Sequence, residues 1–321
     1  MKTVKRIVTE YANLLLLVLL CLLAACFSSS FFSVRNLTNI LKQSCILGIL
    51  TIGLSVVLIS GHMDLSIGAQ VSFTGLMAIS LQDYMPVGWA IVCALLIGCL
   101  LGAFNGLIVT ASHANSGQSL MITYGTNLLF GAMALIYTQG FILEGSSSEF
   151  YNSIGIGTLG TGAGRFISYS MIIFAVLAVI LAVIEGKTKY GRGLHMIGYN
   201  QTCADLSGLK SGGYIIISYI IMGFMAAVAA IVSTSRVSGA NPSAGNGYEM
   251  DAIIAAVLGG VSLSGGFGSV WRGAVGAITL QVLSNAMNLI GFGTYDQILV
   301  KGAVLILAIA FDVLSHRGKR S

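Results

Sequence analysis

Charge is scarce in this sequence. Asp, Glu, Lys and Arg make up 8% of its 321 residues, where a soluble domain carries about 25%. Ionisable side chains are too few and too scattered to form a nucleophile with its base or a metal cluster, which leaves an integral-membrane enzyme without its chemistry. The six cysteines, Cys21, Cys26, Cys45, Cys93, Cys99 and Cys203, form no CxxC pair and have no histidine grouping at metal-ligand spacing, so they read as small buried apolar residues. "GKT" at Gly186 to Thr188 looks like the end of a phosphate-binding loop, but position 181, where that loop needs a glycine, is Leu181. No strand precedes it either, and the chain does not bind ATP by that motif.

What the sequence has is apolar length. It is 56% hydrophobic with a mean hydropathy of +0.90, and a bilayer-spanning helix needs roughly 20 mostly apolar residues. This composition predicts an all-α polytopic membrane protein: one transmembrane domain over 1–321, about ten crossings, and little room for a water-soluble domain. The N-terminus carries the marks of a secretory signal, and "LAAC" ending at Cys26 looks like a lipoprotein cleavage box. A cleaved lipoprotein would continue as a polar chain, whereas this one continues with further apolar segments. Tyr11 to Phe32 therefore reads as an uncleaved first span, held at the interface by Phe31 and Phe32.

The apolar runs fall at 11–32, 44–60, 65–81, 88–110, 119–139, 166–185, 214–234, 251–263, 270–290 and 295–313. Lys2, Lys5 and Arg6 at the start and Arg317, Lys319 and Arg320 at the end place both termini in the cytoplasm, which demands an even number of crossings. Ten crossings then put Glu144, Glu149 and Arg165 outside and the basic loop with Lys187, Lys189, Arg192 and Lys210 inside. The run 251–263 is too short for a straight crossing and reads as a broken or re-entrant helix. "VLISGHMDLSIG" and "VLGGVSLSGG" echo each other about 200 residues apart, which suggests an internal repeat of the kind whose broken helices meet at a transporter's binding site.

The polar interruptions are the candidate functional residues. In "ISGHMDLSIGAQ", Gly61 ends one helix, Asp64 stands where an N-cap would, and Ser66 follows as the next apolar run opens. An aspartate at hydrocarbon depth costs about 2.5–3.5 kcal/mol facing lipid, so Asp64 faces protein or water. Either it only satisfies backbone groups at a buried kink, or the break also lines a solute path. His62 is either a packed histidine or a group titrating near neutral pH. Gln281, Asn285 and Asn288 share one helix face, as glue between helices or as hydrogen-bonding partners for a passing polyol. In the basic loop, Asn200 is an N-cap, Gln201 to Ser207 give two helical turns, and Gly208 supplies a left-handed C-cap. That short helix either rests on the membrane surface or presents a rigid knob to a soluble partner.

Three blocks, "GHMDLSIGA", "YGRGLHMIGYNQTCADLSGL" and "AGNGYEMDAIIAAVLGGVSLSGGFGSVWRGAVGAITLQVLSNAMNLIG", resemble the ribose-type permeases in the branched-chain amino acid and monosaccharide branch of bacterial ABC importers. The likeness runs from about residue 35 to residue 313. It implies a transport subunit in the bacterial inner membrane that pairs with a second copy or a paralogue and receives a sugar from a periplasmic binding protein. A separate cytoplasmic ATPase would hold the ATP and Mg, and no cofactor would sit on this chain. By the same likeness the loop at about 186–213, with Arg192, Asn200, Asp205 and Gly208, would be the ATPase contact, and Arg236 to Asp251 would face the binding protein. His62 and Tyr199 stand where the family usually has glycine, and Trp271 with Arg272 is an unusual bulky pair. Gly61, His62, Asp64, Ser66, Ser264, Asn285 and Asn288 are the expected substrate path. A nucleoside, a branched-chain amino acid or a signalling sugar are alternative cargoes. A zwitterion would favour a fixed charge pair deep in the path, and the sequence shows none. A stand-alone secondary transporter is the rival of another class, although ion coupling lacks an obvious carrier inside the spans.

Overall fold

The computed structural model describes residues 12–27, 30–146, 148–159 and 167–317. Lys2, Lys5, Arg6, Tyr11, Arg165, Lys319 and Arg320, used above for topology and the first span, lie outside the described residues. The chain is an all-α polytopic membrane protein. Its ten apolar runs correspond to α1 (Ala12–Phe27), α2 (Val34–Ile59), α3 (Ile67–Ser80), α4 (Val87–Ala111), α5 (Ser116–Thr138), α7 (Tyr169–Lys187), α10 (Ser211–Val237), α11 (Tyr248–Leu258), α12 (Val270–Ile290) and α13 (Thr294–Arg317). Between them lie α6 (Glu149–Ile156), α8 (Lys189–Tyr199) and α9 (Gln201–Leu206). Among the described residues, α2, α4, α5, α7, α10 and α12 are long and apolar enough to cross a membrane.

Helix α2 begins ten residues before the apolar run that announced it. Ser33 caps its N-terminus by accepting from Asn36 N–H, and the polar side chains of its first turns are absorbed by α12. Asn36 and Asn285 exchange amide hydrogen bonds of 2.9 Å each, and Gln281 Nε2 donates to Gln43 Oε1 at 2.7 Å. These cross-links run antiparallel along the two helices. Phe31, expected at the interface, is instead fully buried against Ala24, Ile40 and Val282, while Phe32 is 57% exposed. The turn at Ser30 to Phe32 folds back onto the bundle, and the Phe31 carbonyl accepts from Asn36 Nδ2.

Helices α2, α3, α10 and α11 form the core, and α1, α4, α5, α7 and α13 carry the exposed apolar faces. Small residues let α4 and α10 approach closely: a Cβ on Gly102 would strike the Tyr219 carbonyl, and one on Gly98 the Gly223 carbonyl. Van der Waals packing of this kind drives helix association where lipid offers no hydrophobic contrast.

The bundle has two distinct ends. At one, α8 and α9 pack under the ends of α2 and α7. At the other, two short antiparallel ribbons, β1 (Leu143–Glu144) with β4 (Gly239–Ala240) and β2 (Thr158–Leu159) with β3 (Ile167–Ser168), close the loops around α6. Ser80 and Tyr137 are hydrogen-bonded at this ribbon end, as are Ser146 and Gln82.

Helices α3 and α11 are half-length, 14 and 11 residues, and run in opposite directions. The chain reaches α3 from the α8 end through residues 60–66, and reaches α11 from the ribbon end through residues 241–247. Their N-termini meet: Gly245 N–H donates to Ser72 Oγ at 3.0 Å, and Cβ atoms on Gly68 or Gly245 would overlap the other residue's carbonyl. Gly68 lies about 18 Å along α3 from Ser80, at 1.5 Å per residue. Ala69 is level with Asn127, the midpoint of α5. The meeting point is therefore near mid-depth of the bundle.

Candidate functional site

The break between α2 and α3 is built from the inside of the bundle. Helix α2 ends in a Schellman motif: Gly61 takes φ +83, Gly61 N–H donates to the Leu58 carbonyl, and His62 N–H donates to the Val57 carbonyl. The freed backbone that follows is met by one face of α5. Met63 N–H donates to Ser119 Oγ at 3.1 Å, Leu65 N–H to Thr123 Oγ1 at 3.0 Å and Ala69 N–H to Asn127 Oδ1 at 3.2 Å. The Met63 carbonyl accepts from Tyr219 Oη at 2.7 Å. Ser119, Thr123 and Asn127 recur every four residues, so one helix face supplies acceptors along the whole break. Ser119 and Thr123 are residues of the candidate site absent from the expectations above, although their four-residue spacing with Asn127 is a signal present in the sequence.

Asp64 is fully buried in this frame. Its Oδ1 accepts from Ser66 N–H at 2.8 Å and from Ser66 Oγ at 2.6 Å, and Oδ2 accepts from Gln70 Nε2 at 3.4 Å. Ser66 Oγ also accepts from Gln70 Nε2 and Asn105 Nδ2, both at 2.7 Å. Asp64 thus organises the break without capping α3 directly. The helix opens two residues later than expected, with Ser66 at the cap position and no side-chain cap bond. Asp64 spends its acceptors on Ser66, and the first turn of α3 borrows from α5 instead.

His62 is nearly fully buried, with Nδ1 3.1 Å from the Ser60 carbonyl oxygen. It lines a cavity of about 320 Å³ at the α8 end, together with His113, Asp205, Lys210 and Ser211. The structure thus brings His62 of the break and Asp205 of α9 onto one cavity. Ser264, in the loop between α11 and α12, is exposed. Asn285 is paired with Asn36, and Asn288 Oδ1 accepts from Gln297 Nε2 of α13 at 2.8 Å. The polar stripe on α12 therefore links three helices.

The two echoing motifs touch. Gly266 N–H donates to the Ile59 carbonyl at 3.0 Å, and a Cβ on Gly265 would sit 2.5 Å from Gly61 Cα. Helix α8 packs against both at once, because a side chain on Gly198 would collide with the Ile59 carbonyl and the Gly266 nitrogen. His195 of α8 fastens this junction, its Nδ1 2.9 Å from the Gly266 carbonyl oxygen and its Nε2 2.8 Å from Glu185 Oε1. The Glu185 hydrogen bond holds the His195 pKa above its ordinary 6.5. Tyr199 packs edge-on against Phe267, ring centroids 5.9 Å apart, and Tyr190 stacks on Tyr214 at 5.5 Å. Trp271 and Arg272 are exposed in the first turn of α12.

Helix α9 has the caps its sequence announced. Asn200 Oδ1 accepts from Cys203 N–H at 3.0 Å, and Gly208 takes φ +87 with Leu209 N–H donating to the Ala204 carbonyl. Asp205 Oδ1 accepts from Ser211 N–H at 3.2 Å, tying α9 to the start of α10. Arg192 is exposed, and Leu206 is 84% exposed at the tip. A groove of about 380 Å³ runs along α8 and α9 between Met196, Tyr199, Cys203 and Gly266.

A charge pair also appears where the sequence reading saw none. Lys301 Nζ of α13 lies 2.7 Å and 3.0 Å from the two carboxylate oxygens of Asp251, in the first turn of α11. The two residues are 50 apart in sequence, each near the edge of an apolar run, so neither looked deep until the half-helix brought them level.

The family model described as the permease component of branched-chain amino acid transport systems matches residues 36–309. The ribose import permease RbsC of Haemophilus influenzae is 32% identical over 308 residues, covering 96% of this chain and 94% of that protein. RbsC of Escherichia coli K12 is 33% identical over 304 residues, covering 94% and 93%. The xylose transport permease XylH of Escherichia coli K12 is 30% identical over 345 residues, covering 90% and 87%. No solved structure matches the chain. The match over nearly the whole length places this chain in the ribose-type branch of that family of ABC transporter permeases.

Proposed function

We propose that the chain is the membrane-spanning subunit of an ATP-driven importer that passes a monosaccharide, of the class its ribose and xylose relatives are named for, into the cytoplasm. Two copies, or this chain and a paralogue, enclose the path. A periplasmic binding protein delivers the sugar to the ribbon end, and a cytoplasmic ATPase holding ATP and Mg grips the α8–α9 end. The chain catalyses no bond chemistry itself and carries no cofactor. It crosses the inner membrane ten times with both termini inside. The half-helices α3 and α11 each complete a crossing with a non-helical stretch, which supports that count.

The observation that carries this reading is the junction at Gly198. A short capped helix with an exposed Leu206 and an apolar groove beside it suits docking to a soluble partner. The same element packs, through α8, against both Gly61 and Gly266. Movement imposed on α9, with Arg192, Asn200, Asp205 and Gly208 shaping the contact, would reach both breaks together. Gly61, His62, Asp64 and Ser66 on one break and Ser264 on the other flank the path, with Asn285 and Asn288 toward its outer end. The buried members act by fixing the shape of the wall.

The test is reconstitution in liposomes with the ATPase and the binding protein. D-ribose or D-xylose delivered by the binding protein should stimulate ATP hydrolysis and accumulate inside. No stimulation by any monosaccharide, or accumulation by the isolated chain under an ion gradient, would overturn the reading.

A further inference from the structure

The stretch leading into α11 is partly exposed as it descends from the ribbon end toward mid-depth. Between Ala240, paired with Leu143 at the ribbon end, and Gly245, packed on Gly68 near mid-depth, the chain folds in turns rather than a helix. Asn241, Ser243 and Asn246 along it are exposed. All three make only local bonds: Asn241 Oδ1 accepts from Ser243 N–H at 2.8 Å, and Asn246 N–H donates to the Ser243 carbonyl. One turn further, the Asp251–Lys301 pair is itself incompletely covered, with side-chain exposures of 26% and 21%. Irregular backbone at membrane depth is tolerated only inside protein or along a water-filled cavity, and intramembrane ionisable residues mark solute paths. The break at residues 60–66 meets the first condition. The 241–247 stretch meets it only at Pro242 and Gly245, which are buried, and leaves Asn241, Ser243 and Asn246 uncovered.

We propose that residues 241–251, with Lys301, form one wall of an aqueous vestibule that opens at the ribbon end and reaches to the middle of the membrane, and that its floor receives a neutral polyhydroxylated solute. Asn246 offers an amide donor and acceptor. The Asp251 carboxylate and Lys301 ammonium are bonded to each other at 2.7 Å and 3.0 Å, so neither charge is left unpaired for the fixed charges of a zwitterion, and what remains is an adjacent acceptor and donor that suit hydroxyl groups. Glu249 closes the floor: its Oε1 accepts from Gly247 N–H at 3.2 Å, and its Oε2 lies against Gly68, where the positive ends of two half-helices converge. The solute's identity as a sugar rests on the function proposed above; the water-filled vestibule does not.

The test uses the full chain in its native membrane complex, with the other cysteines replaced. Ser243→Cys and Asn246→Cys should react with a membrane-impermeant thiol reagent applied from outside. Leu128→Cys, an exposed apolar position on α5 next to Asn127, should not. Failure of both polar positions to react, or equal reaction of Leu128→Cys, would overturn the vestibule even if the importer moves sugar. The paired exchange Asp251→Lys with Lys301→Asp keeps the tether between α11 and α13 but exchanges donor and acceptor. It should leave the amount of assembled complex unchanged and lower pentose uptake at least tenfold. Wild-type uptake by the exchange would overturn the recognition role while the labelling result stands on its own.

Discussion

The two half-helices begin at the same depth, yet the chain reaches them through contrasting surroundings. Residues 60–66 enter α3 with their exposed backbone groups met by α5 and α10 and a fully buried carboxylate between them. Residues 241–247 enter α11 with three polar side chains exposed and bonded only to near neighbours, and a single backbone group, Gly245 N–H, met from α3 by Ser72. The motif that drew the eye in the sequence, "GHMDLSIGAQ", is the dry one, and its polar residues hold a shape. The approach to α11, whose polar residues are small and uncharged, carries the features of a wet wall. At these two breaks the polar residues mark a departure from the helix, and their neighbours decide whether water reaches them.

Substitutions can break that contrast, and the largest effect should come from Asp64. Asp64→Leu leaves Ser66 N–H and the Ser66 hydroxyl without their acceptor in a dry interior, at about 1–3 kcal/mol for a stranded group, and takes from the Gln70 amide one of its two acceptors. Little folded protein should remain by size-exclusion in detergent. Asp64→Asn keeps an acceptor and should fold, and equal yields of the two would remove the structural role. Gly198→Val comes next, since overpacking costs about 1–3 kcal/mol and the collision is with backbone at both breaks. It should uncouple ATP hydrolysis from sugar uptake in reconstituted complex, and tight coupling in that variant would discount α8 as the link. Thr123→Val strands Leu65 N–H and should lower the melting temperature measurably, while Ser243→Ala should leave it within error. Comparable losses would erase the dry-versus-wet distinction.

The smallest effect is the pH dependence of His195. Its raised pKa means the ion pair with Glu185 contributes fully below the ordinary 6.5 and is lost as pH rises through the higher folded value. A partly exposed pair of this kind contributes about 0.2–1 kcal/mol. Thermal stability of the purified protein should therefore fall slightly across that window, and His195→Gln should flatten the profile. An unchanged slope in His195→Gln would assign the pH dependence to another group.

Much of this was legible in the sequence because it depends on local chemistry. Apolar length located the six helices long and apolar enough to cross a membrane, and Asn200 and Gly208 announced a capped helix that the structure contains with both caps formed. Less legible was whatever depends on a distant partner. The polar start of α2 is held by Asn285 and Gln281, which arrive from 249 and 238 residues away. Phe31 looked like an interface anchor until the fold of α1 onto α12 buried it. Helix α8 went unread because its glycines lower its intrinsic preference, and what keeps them is close packing against Ile59, Tyr214 and Gly266. Asp251 and Lys301 each sat near the edge of an apolar run, and only the half-length of α11 set them deep.

The central claim is that force enters at one end of the bundle and solute at the other. Native Cys203, exposed on α9, and Asn246→Cys can be placed together in a chain whose other cysteines are replaced, then treated with an impermeant thiol reagent on intact cells and on inverted vesicles. The account predicts that residue 246 is modified only from outside and Cys203 only in the inverted vesicles. Modification of both from the same side would contradict it.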